Sequence, residues 1–167
     1  MTNLVDRDIE LQDMEEDTQK DRYLTYQLGN ECYGIEIKYV TEIIGIQAII
    51  HVPELPEYVK GIINLRGKII PVMDARLRFK KEARDYNDRT CIIVVDLNDL
   101  SIGLIVDKVT EVLTIPVMDV VDPPRINRTT GYGYIKKIGK IGNEVILLLD
   151  CERLLSEDEL QCLNETI

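Results

Sequence analysis

Apolar and polar residues alternate strictly over residues 23–28, with Leu24, Tyr26 and Leu28 on one side and Tyr23, Thr25 and Gln27 on the other. A period of two marks a half-buried β-strand. Gly29-Asn30 then turns the chain into Cys32-Tyr33-Gly34-Ile35-Glu36-Ile37, so a hairpin is expected. A short turn and a third strand follow over residues 38–44, and Pro53 and Pro56 mark a loop, because neither can lie inside a paired strand. Two further apolar runs, Gly61-Ile62-Ile63-Asn64-Leu65 and Lys68-Ile69-Ile70-Pro71-Val72-Met73-Asp74, are joined by Arg66-Gly67. Gly67 takes positive φ at little cost, which predicts a tight hairpin tip holding Arg66 in one orientation. Gly61 and Pro71 are poor inner-strand residues, so these strands are expected to be bent or bulged, as suits a small barrel.

A basic run containing Arg76, Arg78, Lys80, Lys81 and Arg84 passes through a turn or short helix, and strands are expected over 90–95, 101–106 and 111–113. Pro123-Pro124 breaks the chain, Gly131-Tyr132-Gly133 forms a loop, and a last hairpin runs over 134–138 and 145–149 around Gly142-Asn143. Ser156 followed by Glu159 is a capping-box signature for a short C-terminal helix over 156–167. An internal echo is also present. Residues 34–43 align without a gap on 103–112, sharing the leading glycine and a Val-Thr-Glu triplet, and 65–74 match 141–150 in pattern. Two copies of one small β unit is the economical explanation.

At 167 residues the chain suffices for one domain or two intimate subdomains, burying about 70% of its unfolded surface. It has no Trp and one Phe, so its core must be aliphatic with tyrosines at the margins. Apolar runs fall far short of the ~20 residues that span a bilayer, and residues 1–8 lack the basic start and apolar stretch of a secretory signal, which makes a cytoplasmic location the default. The formal charge of -10 sits at the ends. Residues 1–22 carry eight acids and three bases, residues 150–167 six acids and one base, and the remainder 16 of each. The first segment reads as a disordered acidic arm. No net basic footprint exists to bind nucleic acid.

Cys32, Cys91, Cys151 and Cys162 are widely spaced and His51 is the sole histidine, so the pattern offers no zinc site. Asp74, Asp96, Asp107 and Asp150 each end an apolar run, which raises a Mg²⁺-dependent phosphoryl enzyme as an alternative. The four residues between Asp96 and Ser101 are too few for a parallel crossover, so the carboxylates should not converge, and turn or helix capping is the better reading. No phosphate-binding loop or nucleophilic triad is recognisable; no catalytic, cofactor or metal residues are assigned. The basic run reads as a solvated loop, or as a receptor for an acidic partner or the chain's own acidic arm. Glu42 and Arg66 are charges set among aliphatics, either a structural ion pair or the rim of a protein-binding groove.

The blocks Val40-Thr41-Glu42-Ile43, Gly61-Ile62-Ile63-Asn64-Leu65-Arg66-Gly67, Gly103-Leu104-Ile105-Val106-Asp107 and Ile146-Leu147-Leu148-Leu149-Asp150 resemble the CheW family of bacterial chemotaxis adaptors. The resemblance covers about residues 23–155. It implies a mainly β fold of two five-stranded SH3-like β-barrel subdomains, roughly 23–88 and 89–150, with short helices and no cofactor. It further implies a non-enzymatic adaptor that couples the cytoplasmic tips of chemoreceptors to the regulatory domain of the chemotaxis histidine kinase. By the same analogy Glu42, Gly61 and Arg66 match positions of the partner-binding site that couple to receptors; Val40, Ile43, Ile62 and Val106 are expected on the groove floor from their neighbourhood to these residues. A stand-alone β-barrel interaction module outside chemotaxis is the alternative with the same fold.

Overall fold

The computed structural model describes residues 19–97, 99–124 and 134–154. The N-terminal part of the acidic arm, the loop at Gly131-Tyr132-Gly133 and the helix expected after Ser156 lie outside them. The hairpins predicted by alternation are present: β1 (Arg22–Leu28) with β2 (Glu31–Glu36), β4 (Val59–Leu65) with β5 (Lys68–Asp74), and β10 (Ile135–Ile141) with β11 (Glu144–Leu149). Between them run β3 (Val40–Gly45), β6 (Cys91–Leu97), β7 (Leu100–Val106), β8 (Lys108–Thr114) and the two-residue β9 (Val120–Val121). Besides a helical residue at Gln19, helical structure among the described residues consists of α1 (Ala75–Arg78) and short 3₁₀ turns. None of these helices is long and apolar enough to cross a membrane.

The strands form two mixed sheets, a six-stranded one in the order β8-β1-β2-β11-β10-β9 and a five-stranded one in the order β3-β6-β7-β5-β4. Two contacts are parallel, β2 with β11 and β5 with β7. The short link between β6 and β7 gives an antiparallel pair in which Asp96 faces Ser101, as its length requires. Sheet membership crosses the expected division near residue 88. The hairpin β1–β2 joins the late strands, whereas β6–β7 joins β3, β4 and β5. A two-stranded hairpin is marginal on its own, and each leading hairpin gains its missing neighbours from the other half of the chain.

The sequence echo has a structural counterpart in this exchange. Gly34 and Gly103 both lie at the parallel contacts, Gly34 opposite Leu148 and Gly103 opposite Val72. A Cβ on Gly34 would stand 2.9 Å from Leu148 Cδ2, and one on Gly103 2.7 Å from Val72 Cγ1, so a side chain at either place would push the parallel strands apart.

Apolar packing follows the strand period. Leu24, Tyr26 and Leu28 of β1 join Ile93, Val95, Ile102, Leu104 and Val106 in the large cluster between the sheets. The alternate residues Ile92 and Val94, with Ile63, Ile70, Val72 and Ile105, form a second cluster on the other face of the five-stranded sheet. Ile115, Ile146 and Leu148 form the corresponding cluster of the six-stranded sheet. Strands such as β6 and β7 are therefore buried on both faces, which explains their continuous aliphatic runs.

The basic run after β5 is largely absorbed into the protein. Asp74 caps α1 by accepting from the backbone N–H groups of Arg76 and Leu77. Arg76 turns inward to Asp107. Arg78 lies between the rings of Tyr58 and Tyr134, 4.4 Å from each centroid, and donates Nε to the Leu154 carbonyl at 2.8 Å. The sequence predicts a solvated loop for this stretch; partly buried partners from distant connecting segments make Arg76 and Arg78 structural instead.

Candidate functional site

Arg66 and Gly67 form the tip of the β4–β5 hairpin with φ of 52° and 86°. Positive φ at both central residues is the two-residue turn whose twist matches paired strands, and Asn64 Oδ1 tightens it by accepting from Gly67 N–H at 2.9 Å. Arg66 is thus displayed from a stiff base, with its side chain 71% exposed. On β3, a register shift between Val40 and Glu42 disrupts pairing with β6, and Thr41 Oγ1 donates to the Val94 carbonyl at 3.1 Å. Such bulges re-aim neighbouring side chains. Here Glu42 reaches Arg66 and accepts a hydrogen bond from its Nη2. That contact raises the guanidinium pKa further, fixing Arg66 in its charged form.

β3 and β4 are the two end strands of the five-stranded sheet, so this ion pair brings opposite ends of the strand order together. It lies within one sheet and not across the seam between the two. Exposed aliphatics belong to the same sheet and its covering segment: Ile43 (44%), Ile50 (57%) and Ile69 (40%). Ile43 follows Glu42 along β3 and so stands on the opposite face of that strand. Val40 and Ile62 are half-buried.

Two expected site residues have a different place. Val106 is 1% exposed and packs in the central cluster, where it offers no surface to a groove. Gly61 is buried with φ of 147°, beside a register shift between Val59 and Gly61. A Cβ there would come within 2.1 Å of the Ile50 carbonyl oxygen. Its bare backbone lets Ile50 bridge to Ile62 through paired hydrogen bonds of 2.8 and 2.9 Å, shielding part of the β4 edge. The sequence held a signal for this bridge, a glycine within an aliphatic strand, but not the identity of its partner.

The four aspartates are engaged separately. Asp74 caps α1 and accepts from Tyr86 Oη at 2.9 Å. Asp96 accepts from Ser101 Oγ at 2.6 Å, and Ser101 accepts from Lys68 Nζ at 2.7 Å. Asp107 accepts from Arg76, Arg84 and Gly29 N–H, and Asp150 caps the 3₁₀ turn Cys151–Arg153. Burial alone would raise the Asp107 carboxyl pKa, but the Arg76 hydrogen bonds, with Gly29 N–H and the nearby arginine charges, hold it below its ordinary value. No cluster of three or more His, Cys, Asp or Glu among the described residues is arranged to hold a metal.

A family model described as a CheW-like domain matches residues 22–159. The chemotaxis protein CheW of Klebsiella aerogenes is 34% identical over 138 residues, 83% of this chain and 83% of that protein. The chemotaxis protein CheW of Treponema pallidum is 34% identical over 142 residues, covering 83% and 84% respectively. The scaffolding protein TtCheW from Thermoanaerobacter tengcongensis has a crystal structure that superposes with a TM-score of 0.77 at 34% identity, covering 83% of this chain and 94% of that one. The folded body, the Glu42–Arg66 pair and the glycine-marked hairpin all fall inside the matched span, and the chain belongs to the CheW family of chemotaxis proteins.

Proposed function

We propose that this chemotaxis adaptor, which couples receptors to the kinase, engages a receptor through the surface centred on Glu42 and Arg66. The observation that carries the reading is the pair itself: an exposed arginine, held by a rigid turn, meets a carboxylate re-aimed by a bulge. An exposed ion pair adds little to stability, so its constrained geometry is better suited to setting register with a partner. Ile50, Ile62 and Ile69 supply apolar area on the same sheet, with Ile43 on the other face of β3, while Gly61 shapes β4 and Val40 supports the β3 edge.

The receptor's cytoplasmic tip is the partner assigned to this surface, and the regulatory domain of the chemotaxis histidine kinase is the second partner of the adaptor. The protein works in the cytoplasm without catalysis or cofactor; the commitment of all four aspartates to protein donors supports that reading. Each sheet is inferred to close into an SH3-like barrel. The contact between end strands of the five-stranded sheet and the separate apolar cluster within each sheet support this closure. In this reading the acidic arm ahead of β1, which begins at Arg22, and the segment 156–167 lie outside the two barrels, with a short helix expected in the latter.

Binding of a receptor-tip fragment to wild type, Arg66→Ala and Glu42→Ala tests the assignment. Weakened binding by both variants, with unchanged thermal unfolding, supports it. Undiminished binding by both folded variants would sink it.

A further inference from the structure

A second charged feature lies away from the Glu42–Arg66 pair, where the chain enters β1. Lys20, Arg22, Lys38 and Lys136 line a cleft with Asp21 and Glu36. Glu36 accepts from Lys136 Nζ at 2.6 Å through one oxygen and pairs with Lys38 Nζ at 3.3 Å through the other. One carboxylate therefore serves two ammonium groups, both of them half exposed. With Lys20 and Arg22 on the rim, four cations face two carboxylates, an excess of positive charge in a protein whose total is -10. The Lys38 and Lys136 pKa values are both raised by Glu36, so the ammonium groups stay charged throughout the physiological range.

We propose that this cleft is the docking site of the chain's own acidic segment, residues 1–18. That segment carries seven acids and one base, the charge opposite to that of the cleft. Its attachment point is the cleft wall itself, because Gln19 is a lining residue. A tether this short sets an effective concentration in the millimolar range, so an attraction too weak to hold a free peptide keeps the attached segment in place. The basic run after β5 is the rival receptor, and most of it is engaged internally: Arg76 and Arg84 on Asp107, Lys81 on Glu31 at 2.8 Å, and Arg78 between two tyrosines. The cleft borders the turn that leads into β3, four residues ahead of Glu42, so the docked segment lies at the approach to the strand that carries the pair.

The test uses the full chain with four of the segment's seven acids replaced at constant length by Asp13→Asn, Glu15→Gln, Glu16→Gln and Asp17→Asn, which takes its charge from -6 to -2. Amide chemical shifts are compared with wild type at about 20 mM and about 0.5 M NaCl, a change that shortens the range of charge interactions severalfold. Docking predicts that Lys38 and Lys136, remote in sequence from the substitutions, shift in the variant at low salt, while amides of the β-sheet cores stay fixed. It also predicts that high salt moves the wild-type signals to the variant positions. A full chain carrying Lys38→Gln should lose most of the salt response at Lys136. Identical Lys38 and Lys136 shifts in wild type and variant at low salt would overturn the proposal, as would perturbations confined to Lys80 and Lys81.

Discussion

Arg76 grips Asp107 with two parallel hydrogen bonds, 2.7 Å from Nε to Oδ1 and 2.5 Å from Nη2 to Oδ2, and both side chains are less than one-fifth exposed. The pair links α1, which follows the five-stranded sheet's β5, to the corner between β7 and β8. Gly29 N–H adds a donor from the β1–β2 turn at 2.8 Å. Removing one partner of such a pair leaves a poorly solvated charge behind. Arg76→Ala is expected to cost about 2–4 kcal/mol, seen as a fall in Tm of roughly 5–12 °C by calorimetry.

The same contact gives acid sensitivity. Asp107 has a folded-state pKa below its unfolded value of about 3.9, so its contribution is complete above that value and is lost as pH falls through the folded pKa. Asp107→Asn should therefore be less stable at pH 7, and the gap from wild type should narrow as unfolding is measured from pH 5 downward. A constant gap across that range would assign the acid limb to other carboxylates, of which Glu31 and Glu36 also have lowered pKa values through their lysine partners, against the opposing effect of burial.

Gly61 and Gly67 separate structure from display. Gly61→Ala places a methyl group 2.1 Å from the Ile50 carbonyl oxygen at φ of 147°, and a cost of about 2–4 kcal/mol in urea unfolding is expected. Gly67→Ala has positive φ but meets nothing within 4 Å among the described residues, so about 1 kcal/mol is expected. Receptor binding by Gly61→Ala should recover once corrected for the folded fraction, provided the Ile50–Ile62 bridge re-forms in the folded molecules.

Tyr26 is fully buried and stacks on Tyr33 at 5.4 Å between centroids, yet its hydroxyl finds no hydrogen-bond partner among the described residues. An unsatisfied buried hydroxyl opposes folding. Tyr26→Phe keeps the ring and removes the penalty, so stability should rise by about 1 kcal/mol with an unchanged urea m value.

Local elements were legible because alternation and glycine or asparagine turns are encoded within a few residues, as at 23–28, 66–67 and 142–143. The parallel contacts of β2 with β11 and β5 with β7 were not, since Gly34 and Leu148 lie more than a hundred residues apart and strand pairing leaves no local mark. Glycine at both places was the trace of those contacts, visible in the echo but without a stated partner. Charge runs are ordinarily solvated, so the sequence points Arg76 and Arg78 to solvent, and only the fold supplies Asp107, Tyr58 and Tyr134. Val106 was placed near the site by sequence neighbourhood, whereas strand alternation turns it into the central cluster with Ile102 and Leu104. Glu42 and Arg66, 24 residues apart, were singled out together by their aliphatic surroundings, and the fold brings them into contact.

Co-sedimentation of the chemotaxis kinase with receptor-containing membranes tests the adaptor account most directly, with wild type, Arg66→Ala, or no adaptor added. The account predicts that the kinase sediments with receptor only when wild type is present, and that Arg66→Ala, folded and melting at the wild-type temperature, loses most of that recruitment. Equal recruitment by wild type and folded Arg66→Ala would contradict it.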